Sequence, residues 1–479
     1  MSRFVIYVTS SFVGYLGSVA QVLSKGGHDV HCIVKSADIA GTFLDNFGLE
    51  KDSLIIRNYK YTGTDPIKDC LNYENKYREK FAKLCSYDRG LGKGYILNAD
   101  THPDQRKSYW PKDRRYAEIL SQIEFFDKYL TKVNPDIVFC YGQSKILALV
   151  SRDLDISYRA LLPPRWKNYY FWAENEYDEN KLTSSFIEKK QLEMQVYKII
   201  EKEEENDLVF AKYFISKIKF NVIDNLKNLI KYAVNDTKKA ILSCFKPSDG
   251  YVYLSWAPYF LTRYRSYQYI KKVGLSVSNL EKNKYFLFPL QTEPESSLLY
   301  ASPDLNNSLE LIVWISKNLP SDMLLVVKEH PYSFGVRPIN FYKKLIKMPN
   351  VVIAGHKNHS TEWIDNAACI ATITGTMGFE AVYRLRPVLS FGRYQLINSL
   401  RSVKYADSFN STRKAVEELI LLSNDITLLS IAKATLKSAI EHYYFQLDGF
   451  EETIKKRNKA THLAEITMKN FFKTYPEFS

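Results

Sequence analysis

The chain has 479 residues, 46% hydrophobic and 25% charged, with a formal net charge of +13. That length exceeds one ordinary core and predicts two or more domains, and the composition describes a soluble globular protein and excludes a disordered one. The charge points to acidic partners (sugar nucleotides, nucleic acid or anionic lipid) without choosing among them.

Phe4-Val5-Ile6-Tyr7-Val8 predicts a strand, Thr9 to Gly17 a small-residue loop, and Ser18 to Ser24 a helix ended by Gly26-Gly27-His28. Asp29 to Val34 is the next strand, so the chain opens on a βαβ unit. The apolar stretch Phe4 to Leu23 has some of the character of a signal peptide. Ser10, Ser11, Gly14, Gly17, Ser18 and Gln21 interrupt it without a cleavage site, which favours strand, loop and helix. Residues 50 to 115 are polar, rich in Tyr, Lys and Asp, and give no clear pattern. Tyr116 to Val133 predicts a helix, Ile137 to Tyr141 a strand, and Ser144 to Leu154 a helix; Arg159 to Arg165 closes this region.

From about 166 to 280 the pattern changes. Glu174 to Glu205 is acidic and helical, and Ala211 to Phe245 alternates apolar residues with lysines on an expected helix pair. The expectation is a solvated cationic face on helices packed by Phe214, Ile218, Ile223, Leu226 and Ile230. A patch for anionic headgroups at the inner-membrane surface is the alternative. Residues 283 to 425 predict a second α/β domain, and from about 428 the chain is helical, with Phe445, Leu447, Leu463 and Phe471 as packing residues. The six cysteines (Cys32, Cys70, Cys85, Cys140, Cys244, Cys369) have no paired spacing and several sit in apolar runs. Buried, reduced thiols in a cytoplasmic protein are expected, with no zinc site. No run of about twenty apolar residues predicts a membrane span.

Three motifs follow buried strand patterns in the second half. Phe288-Pro289-Leu290-Gln291-Thr292-Glu293-Pro294-Glu295 comes first, Lys328-Glu329-His330-Pro331 next, and Thr374-Gly375-Thr376-Met377-Gly378-Phe379-Glu380-Ala381 last. Ligands of parallel sheets sit at the carboxyl ends of strands, which is where these motifs fall. Small residues opening a helix let backbone amides and the hydroxyls of Thr374 and Thr376 approach a phosphate at Gly375 and Gly378. Tight packing needs glycine equally. Glu380 can accept from ribose hydroxyls. Pro331 fixes where His330 points, so His330 can donate to a phosphate or a base edge, with charge from Lys328; a strand-end histidine can also be merely structural. Gln291, Glu293 and Glu295 are candidate base, nucleophile or hydroxyl ligands, or helix caps.

In order, and followed by Arg386-Pro387-Val388-Leu389-Ser390-Phe391-Gly392, these motifs resemble the bacterial capsule polysaccharide biosynthesis family, which includes Kdo transferases. The resemblance covers roughly residues 284 to 395. It implies a GT-B-like α/β fold: two Rossmann-like domains facing a cleft, a helical insertion, and a C-terminal helix returning to the first domain. The division expected is 1–282 for the acceptor domain with its insertion at about 166–280, 283–430 for the donor domain, and 431–479 for the returning helices. It further implies a metal-independent glycosyltransferase with no cofactor beyond a nucleotide-sugar donor and a glycan or lipid-linked glycan acceptor. In the Kdo-transferase branch the signatures are Gln-x-Asp and His-Pro. His330-Pro331 matches, and Gln291-Thr292-Glu293 carries Glu where the family has Asp. A His-Pro motif is also similar to that of bacterial sialyltransferases, so a CMP-activated ulosonic acid is the favoured donor. Glu293, Glu295 and His330 are then the catalytic candidates, and Gln291, Lys328, His330, Thr374, Gly375, Thr376, Gly378 and Glu380 the donor-binding ones.

On the acceptor side Ser10, Ser11 and Gly14 are candidates by position, and Asp100, His102 and Arg165 by chemistry. Two other readings are a sugar-nucleotide 2-epimerase and a catalytically silent glycan- or nucleotide-binding partner. Nucleic-acid binding is not expected, because the lysines are dispersed along helices without a stacking platform.

Overall fold

The computed structural model describes residues 1–9, 11–88, 91, 110–163, 165–177, 180–193, 221–245, 256–291, 296–330, 337–356, 358–456 and 459–479. The chain divides into two units: Met1–Cys85, Pro111–Asn180 and Ile440–Ser479 form one, and Ser86–Trp110 with Lys181–Ala439 the other. This departs from the division at residue 282 expected from sequence. The stretch from 181 to 282 groups with the second unit, and one reason is visible in Gln191. That residue lies on the helix Lys181–Glu193, its amide donates to the Ser399 carbonyl at 2.8 Å, and its oxygen accepts from Arg401 N at 2.8 Å.

The first unit carries strands β1 (Arg3–Tyr7), β2 (Asp29–Val34), β3 (Leu54–Ile56), β4 (Ile137–Tyr141), β5 (Ser157–Leu162) and β6 (Tyr169–Ala173). The second carries β7 (Lys284–Pro289), β8 (Met323–Lys328), β9 (Val351–Ile353), β10 (Cys369–Thr372), β11 (Val388–Ser390) and β12 (Val403–Tyr405); β13 (Phe445–Gln446) returns to the first. The first sheet runs β13-β6-β5-β4-β1-β2-β3 and the second β12-β11-β10-β7-β8-β9. All pairings are parallel except β5 with β6 and β6 with β13. Both sheets are therefore doubly wound, as the alternating strand and helix patterns require. The near-continuous apolar runs Phe4-Val5-Ile6 and Tyr285-Phe286-Leu287-Phe288 are buried throughout, because helices cover both faces of such sheets.

The first core draws on both ends of the chain. Leu16, Val19 and Leu23 of the helix Val13–Lys25 pack with Leu463, Met468 and Phe471 of the helix Thr461–Thr474. The Tyr15 hydroxyl meets Thr467 Oγ1 at 2.7 Å and Trp172 Nε1 donates to Asn470 at 2.9 Å. Phe445, Leu447, Leu463 and Phe471 are all buried. The helix Val13–Lys25 starts earlier than its sequence pattern suggested, absorbing Gly14 and Gly17. At Gly17 an added Cβ would fall 2.4 Å from the Phe47 ring, so this glycine serves close helix packing. The second core is centred on Phe286, Phe288, Leu325, Val327, Ile373 and Leu389.

On the helix Val222–Phe245 the expectation of packing fails. Ile223, Leu226 and Ile230 are exposed instead of buried, because the helix meets its neighbour through Asn225 and Tyr232; Phe214 and Ile218 lie outside the described residues. Cys32, Cys70, Cys85, Cys140 and Cys369 are buried and take part in no disulfide. Among the described residues no single helix is long and apolar enough to cross a membrane.

Candidate functional site

In the second sheet the chain steps outward from β7 through β8 to β9, then returns to the other side of β7 as β10. The connections after β7 and β10 leave in opposite directions, which opens a crevice at their carboxyl ends. Gln291 follows β7, Glu329 and His330 follow β8, and Ile373 to Thr376 follow β10. All three motifs thus converge on one edge of one sheet.

Gln291 is buried in that crevice. Its Nε2 donates to Thr372 Oγ1 and its Oε1 accepts from the Thr374 hydroxyl, both at 3.5 Å. Its backbone carbonyl accepts from Arg337 Nη2 at 2.6 Å. Arg337 is fully buried and donates through Nη1 to Glu329 Oε1 at 2.7 Å. The same oxygen accepts from the His330 amide at 2.8 Å, and the Tyr342 hydroxyl donates to the other. A buried carboxylate is tolerated when its lone pairs are satisfied, and Glu329 accepts from three donors, the Arg337 guanidinium, the His330 amide and the Tyr342 hydroxyl. The Glu329–Arg337–Tyr342 network ties the end of β8 to the end of β7 and sets the backbone that carries His330. Sequence reasoning quoted Glu329 within a motif and missed its role; Arg337 and Tyr342 belong to no pattern that marks them.

The charged groups beside this frame are strongly desolvated. Burial pushes the Lys328 ammonium down to about 8, against the opposing pull of Glu329 and Glu380. Burial pushes the Glu380 carboxyl up to about 7, with Arg384 and Lys328 acting against it. His330 keeps some solvent exposure but is crowded by the protein. Desolvation, then the positive charges of Lys328 and Arg337, push it down to about 4. At neutral pH the imidazole is uncharged and offers one N–H donor and one acceptor. An entering phosphate would restore favourable surroundings to the Lys328 cation and raise the affinity of His330 for a proton.

Thr374 to Gly378 form a compact turn leading into the helix Met377–Tyr383. Gly375 N donates to Thr372 Oγ1 and Gly378 N to the Gly375 carbonyl, each at 3.0 Å. A Cβ on Gly375 would lie 2.6 Å from Gln291 Nε2, and one on Gly378 would lie 2.7 Å from Ile397 Cδ1. A side chain at either position would press on a neighbouring side-chain end, a packing reason for glycine that the structural reading of the motif allowed. The Gly375 and Gly378 amides are already engaged, while Thr376 is half-buried beside them.

Glu293, Glu295 and Pro331 lie outside the described residues, as do Ser10, Asp100 and His102. Ser11 is exposed in a turn after β1, and Gly14 is buried in the first turn of its helix with its carbonyl accepting from Ser18 Oγ. Arg165 is half-buried after β5. At the switch point of the first sheet, between β1 and β4, Phe12 stacks on Tyr141 with ring centroids 4.0 Å apart. Among the described residues no group of three or more His, Cys, Asp or Glu is arranged to hold a metal ion.

Residues 211–419 match the family model described as "Capsule polysaccharide biosynthesis protein". The resemblance read from the three motifs is thereby borne out for the segment that contains them. No curated protein matches the chain. Among solved structures, the β-Kdo 2,7 transferase KpsC of Thermosulfurimonas dismutans is similar at 12% identity and a TM-score of 0.33, over 74% of this chain and 89% of that one. The S. aureus MnaA–UDP structure is similar at 11% identity and a TM-score of 0.29, over 100% of this chain and 98% of that one. A glycosyltransferase of Rickettsia africae gives 11%, a TM-score of 0.30, and 100% and 99% coverage.

Proposed function

We propose that this chain, with a capsule polysaccharide biosynthesis segment at its second sheet, is a glycosyltransferase drawing its sugar from a nucleotide donor. The donor's phosphate sits at the carboxyl ends of β7, β8 and β10, and a CMP-activated ulosonic acid is the donor favoured. The observation that carries this reading is the desolvated pair Lys328 and His330 beside the switch point, held by the buried Glu329–Arg337 frame. A buried ammonium is costly without an anion, and a leaving phosphate supplies one.

Transfer breaks the bond from the anomeric carbon to the phosphate oxygen, and the nucleotide leaves with the electron pair. The acceptor hydroxyl oxygen bonds to the anomeric carbon and gives up its proton. Lys328 and the Thr376 hydroxyl meet the charge that develops on the phosphate, a contribution that grows in a closed, low-dielectric site. His330 donates its N–H to the departing oxygen. Glu293 or Glu295, just after β7, takes the acceptor proton or faces the sugar. Glu380 receives a ribose hydroxyl. The acceptor is a glycan or lipid-linked glycan, and the reaction takes place in the cytoplasm.

The test is chromatography of nucleotide release from CMP-Kdo with and without a capsular glycan acceptor. Acceptor-dependent CMP release, reduced by more than about a hundredfold in His330→Ala of unchanged fold, is expected. Release equal in the variant would remove His330 from the mechanism. Turnover of UDP-sugars alone would refute the donor assignment.

A further inference from the structure

The helix Val222–Phe245 presents an apolar stripe to solvent. Ile223 is 64% exposed, Leu226 41%, Ile230 67%, Val234 50% and Ile241 58%. At about 100° per residue these five fall within a sector of about 80°. Lys227, Lys231 and Lys238, all exposed, fall in the adjoining sector of about 40° on one side. The opposite face is committed: Asn225 is buried and its Nδ2 donates to the Phe260 carbonyl at 2.9 Å, and Tyr232 stacks on Phe260 at 5.3 Å. The stripe therefore faces outward while the helix Trp256–Val273 anchors the other side.

We propose that this helix lies in the headgroup region of a membrane rich in anionic lipid, with the five aliphatic side chains at the acyl boundary and the lysines on the phosphates. An exposed aliphatic row along several turns is costly in water, and basic edging beside an apolar stripe is the composition of interfacial helices. A second copy of the chain fits less well. An antiparallel two-fold contact through the stripe would bring the row of lysines beside its own copy, and a parallel one would leave both rows without counter-charge from the stripe, whereas lipid phosphates neutralise them. The proposal does not rest on the assignment of the donor. It places a lipid-linked acceptor and the enzyme on the same surface.

Flotation of the full chain with phosphatidylglycerol-containing vesicles, against phosphatidylcholine alone, tests this. Ile223→Glu/Ile230→Glu and Lys227→Glu/Lys231→Glu alter exposed positions only, and circular dichroism verifies that the fold is kept. Wild type is expected to float with the anionic vesicles and weakly or not at all with the neutral ones. Each lysine near an anionic surface contributes on the order of a factor of five, so the lysine reversal lowers partitioning by about thirtyfold or more. The isoleucine variant is expected to stay in solution. Equal flotation of wild type and both variants overturns the proposal, and so does absence of wild-type binding. Light scattering that shows a dimer dissolved by the isoleucine variant, without vesicle binding, assigns the stripe to a second copy instead.

Discussion

Removing Arg337 is the sharpest perturbation of the frame behind the site. Arg337→Met keeps most of the side-chain volume and deletes two hydrogen bonds, one to Glu329 Oε1 at 2.7 Å and one to the Gln291 carbonyl at 2.6 Å. The Glu329 carboxylate then remains buried with the Tyr342 hydroxyl and the His330 amide, and without its hydrogen-bonded cation. Stranding a buried charge in this way costs about 3–5 kcal/mol. For a unit of this size each kcal/mol lowers Tm by about 2–4 °C, so a fall of roughly 6–20 °C is expected. Calorimetry on wild type, Arg337→Met, Glu329→Leu and the double variant completes a cycle. The double variant should recover about 0.5–3 kcal/mol relative to the sum of the singles, because the stranded charge is gone. A Tm within about 2 °C of wild type for Arg337→Met, or strict additivity in the cycle, would refute the description of this network as a buried, mutually dependent frame.

Other consequences are testable alongside it. The folded pKa of His330 lies below the unfolded value, so the unfolded chain binds more protons between pH 6.5 and about 4 and stability drains as pH falls through that window. His330→Asn should flatten this slope by up to about 3 kcal/mol relative to wild type; parallel pH profiles would contradict the burial of His330. Because an anion favours the protonated imidazole, nucleotide affinity in calorimetric titrations should rise more steeply as pH falls from 8 to about 6 in wild type than in His330→Asn, where only the Lys328 ammonium gains charge. Gly375→Ala drives a methyl against Gln291 Nε2 and Thr372 Oγ1, so nucleotide affinity should fall while stability drops by about 1–3 kcal/mol; an unchanged affinity would detach Gln291 from the site. Phe471→Ala, in the first core, should cost about 3–5 kcal/mol and leave nucleotide binding at the second sheet intact, read by denaturant unfolding and titration.

Much of the architecture was legible because periodicity and strand-end chemistry are local. Asp29 to Val34 and Ile137 to Tyr141 are strands with the boundaries the pattern gave, and the three motifs do end neighbouring strands of one sheet. The order of those strands, and hence the crevice between β7 and β10, is a tertiary fact that no single motif carries. Glu329 illustrates the limit. In sequence it is one residue of Lys-Glu-His-Pro, and only Arg337, eight positions on and fully buried, reveals that its charge is spent on holding His330. The helix Val222–Phe245 failed in the opposite way. Its 3.6-residue apolar periodicity was read as a packing face, and periodicity alone cannot say whether a stripe meets a core, a lipid surface or solvent. Gly375 and Gly378 were offered both as phosphate cradle and as packing residues, and the side chains set against them supply a packing reason for each.

The central claim is that the carboxyl ends of β7, β8 and β10 hold a nucleotide phosphate through Lys328 and His330. A thermal-shift panel of CMP, CDP, UDP and GDP on wild type and on His330→Ala tests it most directly. A ligand at a hundred times its Kd adds about 2.7 kcal/mol to the folded state. CMP is expected to raise the Tm of wild type and to leave His330→Ala unshifted. Stabilisation by UDP or GDP in place of CMP would contradict the donor, and no shift of wild type with any nucleotide would contradict the site itself.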